Sequence, residues 1–363
     1  MNISPLDENG KPVDWWFIYK VPKLIKDAST SSATGYEYAY YDTKVGRLAK
    51  SPNLLTDGKG ALDLTLNSVL KAAPVTTGWI LYNDELPASA KGKDNGALGH
   101  TKGVIAFDTE SKTALWLLHS WPKYVDPGAA EMPTPMYGQT FLCVALAIET
   151  ASTIAAQMAN HQEPQTYLPR LPSSLAANDP LSLLAKPLNP NDPGDSNVLN
   201  CSTRGGLKFK VIAKNRKWGK DFWNDLVGPT LGADMDDETW IRGKIPPTLD
   251  SDGIHKTFDI KYIDLSRLGI PWAWPETHDH AKWGITTTSD WVCVGDINRM
   301  ISQENRGGGT IALQDPPLWA ALSKTDLIVA PPGHTRMDAR KLIKSTHPAK
   351  RTAPQAGKGK GQS

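Results

Sequence analysis

The sequence predicts an α/β protein built from two halves related by a pseudo-twofold axis, each half a mixed β-sheet flanked by helices. Three observations favour this fold. Residues 161–199 hold seven prolines, which interrupt both helix and strand patterns and indicate a connection between two segments of similar size. In each segment two apolar runs flank a polar turn, as in a β-hairpin, and a helix-like stretch follows. Each hairpin also begins with a His-x-Lys triplet.

The first predicted half covers residues 1–160. After His100 and Lys102, the runs GVIAF and ALWLLHS predict two strands joined by the turn DTESKT. Because side chains alternate along a strand, the histidine and the lysine, two positions apart, should project from the same face. The next stretch, YGQTFLCVALAIETASTIAAQMANH at 137–161, is free of proline and nearly free of glycine, and it predicts a buried helix.

The second predicted half covers residues 200–330, and the connection 161–199 receives no predicted conformation. After His280 and Lys282, the runs WGI and WVCVG predict two strands joined by the turn TTTSD. Asp296 is then predicted to cap a short helix that a run of three glycines ends.

The formal net charge is only +2, but it is unevenly distributed along the chain. Residues 340–363 carry seven Lys or Arg and no acidic residue, which leaves 33 basic and 38 acidic residues in the rest of the chain. Residues 331–363 are predicted to form a disordered basic tail, with a nucleic-acid-binding arm as the alternative. A polyanion would therefore have to bind a local groove of the main body.

Membrane and metal sites are not expected from the sequence. No apolar run approaches the roughly 20 residues that span a bilayer, and the N-terminus lacks the charged-then-apolar pattern of a signal peptide, although such a segment could have been removed. The three cysteines include no C-x-x-C pair and no zinc-like spacing with histidine. One disulfide and one free thiol are compatible with the sequence, which does not indicate the pairing.

The two triplets carry the predicted chemistry. Taken alone, a His-x-Lys is more typical of a surface or structural site. If the two halves face each other, however, two imidazoles and two ammonium groups meet in one cavity. One neutral imidazole can attack the phosphorus of a phosphodiester, the other, protonated, can donate to the leaving oxygen, and the lysines can neutralise the non-bridging oxygens. This chemistry requires neither a metal nor another cofactor.

Seven segments of the chain resemble those of the deoxyribonuclease II family of acid endonucleases. In chain order they are VDWWFIYKVPK, GHTKGV, HSWP, YGQTFLC, DHAKW, WVCVGDINR and RGGGT. The resemblance implies a fold similar to that of the phospholipase D superfamily, in which each half gives one His-x-Lys to a shared site. It also implies hydrolysis of double-stranded DNA without a divalent metal, leaving 3′-phosphate and 5′-hydroxyl ends.

The same resemblance implies roles for the triplets. His100 is the expected nucleophile, which forms a phosphohistidine, and His280 is the expected general acid, which then activates water; the reverse assignment stays open. Lys102 and Lys282 are expected to bind phosphate oxygens. The wider superfamily places an Asp after each lysine, and no such residue follows either lysine here. The sequence therefore does not indicate what holds the imidazoles.

Three further residues are candidate supporting groups. The wider superfamily places an Asn at a similar distance after each histidine, and this resemblance implies that Asn298, 18 positions beyond His280, binds phosphate or orients a histidine. His119, in the HSWP segment, is equally compatible with a supporting role and a structural one. Arg306, which precedes the three glycines, could offer a cation to DNA phosphate, but a plain helix-ending loop is the stronger interpretation.

Acid pH is the expected working condition. Nearby ammonium groups should lower the pKa of both histidines below about 6.5, yet the general acid must be protonated. We therefore expect the protein to be secreted or to act in a lysosome-like acidic compartment. Two alternatives are another phosphodiesterase of the same superfamily and an inactive DNA-binding relative. A homodimer that clamps DNA between two chains is a further hypothesis.

Overall fold

The computed structural model describes residues 1–71, 75–129, 132–241, 243–244 and 254–324. The predicted tail, 331–363, lies outside these residues. Within them the chain forms two large β-sheets with few helices, which confirms an α/β protein.

The first sheet has eight strands. They are β1 (Trp15–Lys20), β2 (Tyr38–Asp42), β3 (Ala49–Lys50), β4 (Thr77–Asn83), β5 (Lys102–Asp108), β6 (Thr113–His119), β7 (Gln139–Ala147) and β8 (Thr166–Arg170). Their order in the sheet is β3-β2-β1-β7-β6-β5-β4-β8, and neighbouring strands are antiparallel. Alternate residues of β1 fall into two apolar clusters, one on each face of the sheet. Both faces are therefore buried.

The second sheet has seven strands, and a separate hairpin lies beside it. The chain adds, in order, β9 (Ser196–Ser202), β10 (Lys208–Lys214), β11 (Met235–Thr239), β12 (Thr257–Asp259), β13 (Tyr262–Asp264), β14 (Ala273–Pro275), β15 (Lys282–Thr286), β16 (Trp291–Gly295) and β17 (Gly308–Gln314). The sheet order is β12-β11-β15-β16-β17-β10-β9, and β13 pairs with β14. This sheet is mixed, because β11 and β12 run parallel.

The helices are short. They are α1 (Gly60–Leu70), α2 (Ile148–Gln157), α3 (Pro180–Leu184), α4 (Gly228–Leu231) and α5 (Pro316–Lys324). Single turns of π-helix occur at Met158–Gln162 and Trp223–Val227, and 3-10 turns at Ser266–Leu268, Glu276–His278 and Ile301–Gln303. The largest apolar cluster unites residues of both sheets with α2, α3 and α5. Within the described residues, no helix is both long and apolar enough to cross a membrane.

Five strands in each sheet share one arrangement. The neighbours β1-β7-β6-β5-β4 in the first sheet correspond to β10-β17-β16-β15-β11 in the second, in the same chain order and with every pair antiparallel. In both sheets the triplet lysine is the first residue of its strand, β5 or β15. The two triplets therefore lie at the starts of corresponding strands.

The helix predicted over 137–161 is wrong in its first part. Residues 139–147 form β7, hydrogen-bonded between β1 and β6, and the α-helix begins only at Ile148. Because β7 is buried on both faces, its residues do not alternate between apolar and polar, and periodicity cannot distinguish such a strand from a buried helix.

The predicted cap at Asp296 is also wrong. The only helical segment between residue 296 and β17 is the 3-10 turn Ile301–Gln303, which Met300 precedes. The glycines do not end a helix: Gly308 and Gly309 begin β17. A Cβ atom on Gly309 would lie 2.6 Å from the Ile212 carbonyl oxygen, so glycine is needed for close packing against β10.

The connection 161–199 is ordered where the structure describes it. It contains β8, which joins the first sheet, α3, and the beginning of β9, which joins the second. The chain's three cysteines, Cys143, Cys201 and Cys293, are free and buried. The disulfide that the sequence left open is therefore not formed.

Candidate active site

The two triplets come together between the sheets. His100 lies two residues before the start of β5 and His280 two residues before the start of β15. The charges of both Lys102 and Lys282 act on both imidazoles, and His100 also acts on His280. The structure therefore brings two imidazoles and two ammonium groups into one site.

Each histidine is attached to the opposite sheet through its backbone. The N–H of His100 donates to the Gly307 carbonyl at 2.8 Å, and the N–H of His280 donates to the Gly138 carbonyl at 2.9 Å. Both acceptors must be glycine, because a Cβ atom on Gly138 would lie 2.7 Å from the Asp279 carboxylate, and one on Gly307 would lie 2.7 Å from the Gln162 carbonyl. Close backbone approach therefore brings the two sheets together at the site.

The tautomer of neutral His100 is fixed by its surroundings. Its Nδ1 lies 2.7 Å from the backbone carbonyl oxygen of Asp296. A carbonyl only accepts hydrogen bonds, so Nδ1 carries the proton and Nε2 keeps its lone pair. Burial, followed by the charge of Lys102, lowers the pKa of His100 well below its usual value. The imidazole is therefore neutral, with a basic nitrogen available.

Asp84, directly after β4, is the carboxylate of this side of the site. Its Oδ2 lies 3.5 Å from Nε2 of His100 and 3.4 Å from Nη2 of Arg306, and its Oδ1 forms an ion pair with Lys102. Burial alone would raise the pKa of this carboxyl group, but the charges of Lys102 and Arg306 hold it well below the usual range. Asp84 is therefore an anion that links both members of the first triplet.

His280 has an aromatic environment instead. Its ring stacks on Tyr137 at a centroid distance of 3.8 Å and an interplanar angle of 10°, and Trp240 lies at 4.0 Å. Burial, then Lys282 and Lys102, lower the pKa of His280 to about 2. Its Nε2 is buried and accepts no hydrogen bond from the described residues. The imidazole is held by stacking rather than by a polar partner on Nε2.

Two further buried groups in the site have shifted pKa values. Burial and the charge of Lys102 lower the pKa of Lys282 to about 7. Burial raises the pKa of Asp296 to about 8, against the opposing charge of Lys102. Asp296 is buried, so its side chain is a buried carboxylic acid at acid pH.

The three predicted supporting residues have different positions. His119 is the last residue of β6, next to the Leu118 that pairs with Gly103, and burial followed by Lys102 lowers its pKa to about 3. Arg306 donates to the carbonyls of Leu98 at 2.6 Å and Gly99 at 3.0 Å. Its guanidinium is thus bound to the chain that leads into His100 and lies in a loop rather than at a helix end.

Asn298 is buried, and its Oδ1 lacks a hydrogen-bond partner in the described part of the chain. No hydrogen bond between described residues joins Asn298 to either triplet. Among the same residues, no group of three or more His, Cys, Asp or Glu side chains is arranged to hold a metal ion.

Four residues of the site were not identified from the sequence in these positions: Asp84, Tyr137, Trp240 and Asp296. Tyr137 and Trp240 lie far along the chain from His280, whereas Asp84 lies 16 positions before His100. Strand pairing, and for Tyr137 the β-bridge between Gly138 and Asp279, brings them to the site. Asp296 contributes its backbone carbonyl, and a pattern of side chains cannot predict such a contact. The YGQTFLC segment did include Tyr137, but as part of a predicted helix.

Known proteins resemble this chain over most of its length. The family model described as Deoxyribonuclease II matches residues 4–331. The chain is 68% identical over 347 residues to a putative deoxyribonuclease-2 of Burkholderia pseudomallei, which covers 96% of this chain and 99% of the relative. It is 32% identical over 328 residues to deoxyribonuclease-2-alpha of Rattus norvegicus, covering 88% and 91%. It is 34% identical over 349 residues to deoxyribonuclease-2 of Caenorhabditis elegans, covering 87% and 91%.

Proposed function

The chain belongs to the deoxyribonuclease II family and is a hydrolase of that kind; we propose that it cuts double-stranded DNA internally, without a metal, through a phosphohistidine. The convergence of two imidazoles and two ammonium groups from two sheets carries this proposal. The products are 3′-phosphate and 5′-hydroxyl ends. The corresponding five-strand orders support two halves related by a pseudo-twofold axis, as in the phospholipase D superfamily.

In the first step His100 is the nucleophile. Its Nδ1–H is bound to the Asp296 carbonyl, so the lone pair on Nε2 attacks phosphorus. A P–N bond forms, the bond from phosphorus to the 5′ oxygen breaks, and that oxygen takes a proton from His280. Asp84 supports this step because it holds Lys102 beside the reacting nitrogen.

His280 becomes an acid when the phosphate arrives. Burial and the lysines lower its pKa to about 2, so the imidazole is neutral until another charge compensates theirs. A phosphate between Lys102 and Lys282 supplies that negative charge, and a nearby anion raises the pKa of an imidazole. The faces of Tyr137 and Trp240 favour the imidazolium further by cation–π interaction. Protonation thus depends on both substrate and acid pH.

In the second step His280, now neutral, takes a proton from water. The resulting hydroxide attacks phosphorus, the P–N bond breaks, and the 3′-phosphate leaves His100. The two lysines neutralise the non-bridging oxygens in both steps. Since the cycle needs a protonated His280, acidic surroundings, such as an acidic exterior or compartment, are part of the proposal.

The test is plasmid cleavage at pH 5 and pH 7.5 with excess EDTA. The intact protein should cut at pH 5 despite the chelator, and His100→Ala and His280→Ala should each abolish cutting. His278→Ala, which replaces an exposed histidine two residues from His280, is the matched control and should cut normally. Loss of cutting on chelation, or full activity in both active-site variants, would overturn the proposal. A lipid diester hydrolysed faster than DNA would favour another phosphodiesterase.

A further inference from the structure

We infer that two buried lysines outside the triplets, Lys20 and Lys214, position the two active-site histidines, each lysine acting on the histidine of the opposite sheet. The inference deepens the proposed function, and it rests on the roles given there to His100 and His280.

Lys20 is the last residue of β1 and is fully buried. Its ammonium group donates to three backbone carbonyls: Val21 at 3.2 Å, Pro135 at 3.1 Å and Tyr137 at 2.6 Å. The segment held in this way continues directly to Gly138, whose carbonyl accepts the N–H of His280. The same segment carries the Tyr137 ring that stacks on that imidazole. Lys20 therefore fixes both the backbone acceptor and the aromatic support of His280.

Lys214 is the last residue of β10 and is also fully buried. Its ammonium group again donates to three backbone carbonyls, those of Gln303 at 2.9 Å, Glu304 at 2.8 Å and Arg306. This segment continues directly to Gly307, whose carbonyl accepts the N–H of His100. Arg306, within the segment, faces Asp84 beside the same imidazole. Lys214 therefore supports the surroundings of His100 as Lys20 supports those of His280.

The two lysines occupy the same register in corresponding strands. Lys20 pairs with Gln139, the residue after Gly138, and Lys214 pairs with Gly308, the residue after Gly307. The surrounding sequences differ, IYKVPK against IAKNRK. Each lysine thus ends a corresponding strand and donates to at least two carbonyls of the segment before the glycine that accepts a histidine N–H. The same arrangement therefore occurs in both sheets.

Lysine suits this position because its ammonium group has three donors and no acceptor, and so matches three converging carbonyls. Burial lowers the pKa of Lys20 to about 7 and that of Lys214 to about 8. Both are therefore charged at acid pH. A methionine has a similar length but no donor, so it would release the segment without removing much volume.

The experiment exploits the different roles of the two histidines. DNA has a poor leaving oxygen that needs an acid, whereas p-nitrophenolate leaves without one. Full-length Lys20→Met, Lys214→Met, His280→Ala and His100→Ala are compared on plasmid DNA and on first-turnover release of p-nitrophenolate from bis(p-nitrophenyl) phosphate. Each lysine variant is the matched control for the other, since both remove one buried ammonium group from the end of a strand.

Each lysine variant should reproduce the pattern of the histidine it holds. Lys20→Met should lower the rate of DNA cleavage by about 10²-fold. Its rate of first-turnover p-nitrophenolate release should stay unchanged, as expected for His280→Ala. Lys214→Met should lower both by similar factors, as His100→Ala does. If His280→Ala spares the activated ester but Lys20→Met loses activity on both substrates, the role of Lys20 is purely structural and the inference is overturned. Unchanged rates in either lysine variant would also overturn it.

Two controls keep the inference separate from the proposed function. If His280→Ala also loses activity on the activated ester, the acid role of His280 is wrong. The inference is then supported if Lys20→Met loses activity on the same substrates as His280→Ala, and it is overturned if the two variants differ. Thermal unfolding monitors folding of each variant. If a methionine variant does not fold, Lys20→Arg and Lys214→Arg, which keep a cation and several donors, should show the same two patterns with smaller losses, and absence of those patterns overturns the inference.

Discussion

Asp84 and Trp240 occupy the same register position in the two sheets. Each directly follows the strand residue that pairs with a triplet lysine, Lys102 in the first sheet and Lys282 in the second. One position thus holds a carboxylate on one side of the site and an indole on the other.

The consequence is a different environment for each imidazole. Asp84 lies 3.5 Å from Nε2 of His100, whereas Trp240 covers the ring of His280 at 4.0 Å. On the first side, burial and the charge of Lys102 keep His100 neutral although Asp84 opposes them, and a neutral imidazole suits a nucleophile. The aromatic side favours a cation, which suits an acid. This difference supports the proposed assignment of His100 as the nucleophile and His280 as the acid.

Asp84→Asn should impair chemistry rather than folding. The change removes the anion that holds Lys102 beside His100, and hydrogen bonds to charged groups contribute about 1.5–3 kcal/mol, so kcat on DNA should fall by about 10–100-fold. Glu85→Gln is the matched control, because the Glu85 side chain is 47% exposed and its nearest cation lies 4.0 Å away. Comparable kcat values for the two variants would show that Asp84 does not act on the site.

Tyr137→Ala should shift the pH profile, and Tyr137→Phe should not. The ring stacks on His280, and loss of the cation–π contribution lowers the pKa of that imidazole. The alkaline limb of activity should move to lower pH by about 0.5–1.5 units. The check is the pH dependence of kcat for both variants. A shift of the limb to higher pH in Tyr137→Ala would contradict the role of the stack.

The alkaline limbs of kcat/KM and kcat should differ in the intact enzyme. The first reports the free enzyme, in which burial and Lys282 lower the pKa of His280 to about 2; the second reports the complex, in which phosphate raises it. Activity that needs the protonated ring falls as pH rises through the relevant pKa, so the limb of kcat/KM should lie at the lower pH. Coinciding limbs would argue against protonation coupled to phosphate binding.

Glu238→Gln should stabilise the protein more at pH 7.5 than at pH 5. Burial raises the pKa of Glu238 well above its usual value, and both carboxylate oxygens lack a hydrogen-bond partner among the described residues. A raised folded-state pKa contributes stability that is present below the unfolded value of about 4.3 and is lost as pH rises. The glutamine side chain of the variant does not ionise, so the variant does not lose this stability as pH rises. Thermal unfolding midpoints at the two pH values test this, with Glu85→Gln expected to show no such difference.

The sequence predicted those parts of the fold and site that depend on local pattern. The two hairpins were predicted because polar turns separate short apolar runs, and the triplets were identified because their side chains lie two positions apart. β7 was misassigned as helix because a strand buried on both faces has no alternation. The Pro-rich stretch separates the two sheets only approximately, since β8 within it still belongs to the first sheet.

The rest of the site depends on contacts that sequence spacing does not encode. Asp84 reaches His100 because β4 and β5 are neighbours, although a loop of 18 residues separates the strands. Tyr137 reaches His280 across more than a hundred residues. The group that fixes the tautomer of His100 is a backbone carbonyl, at Asp296, and any residue type could supply it. Such partners follow from register and from close glycine contacts, so only the folded chain identifies them.

In the proposed mechanism, His100 carries the phosphoryl group between the two steps. The most direct measurement uses an oligonucleotide ending in a 3′-(p-nitrophenyl) phosphodiester, whose leaving group needs no acid, with the His280→Ala variant. Peptide mass spectrometry after rapid quenching should find the nucleotide attached through phosphorus to His100, and the adduct should be absent from His100→Ala. Release of p-nitrophenolate with no adduct, or an adduct on another residue, would contradict the account.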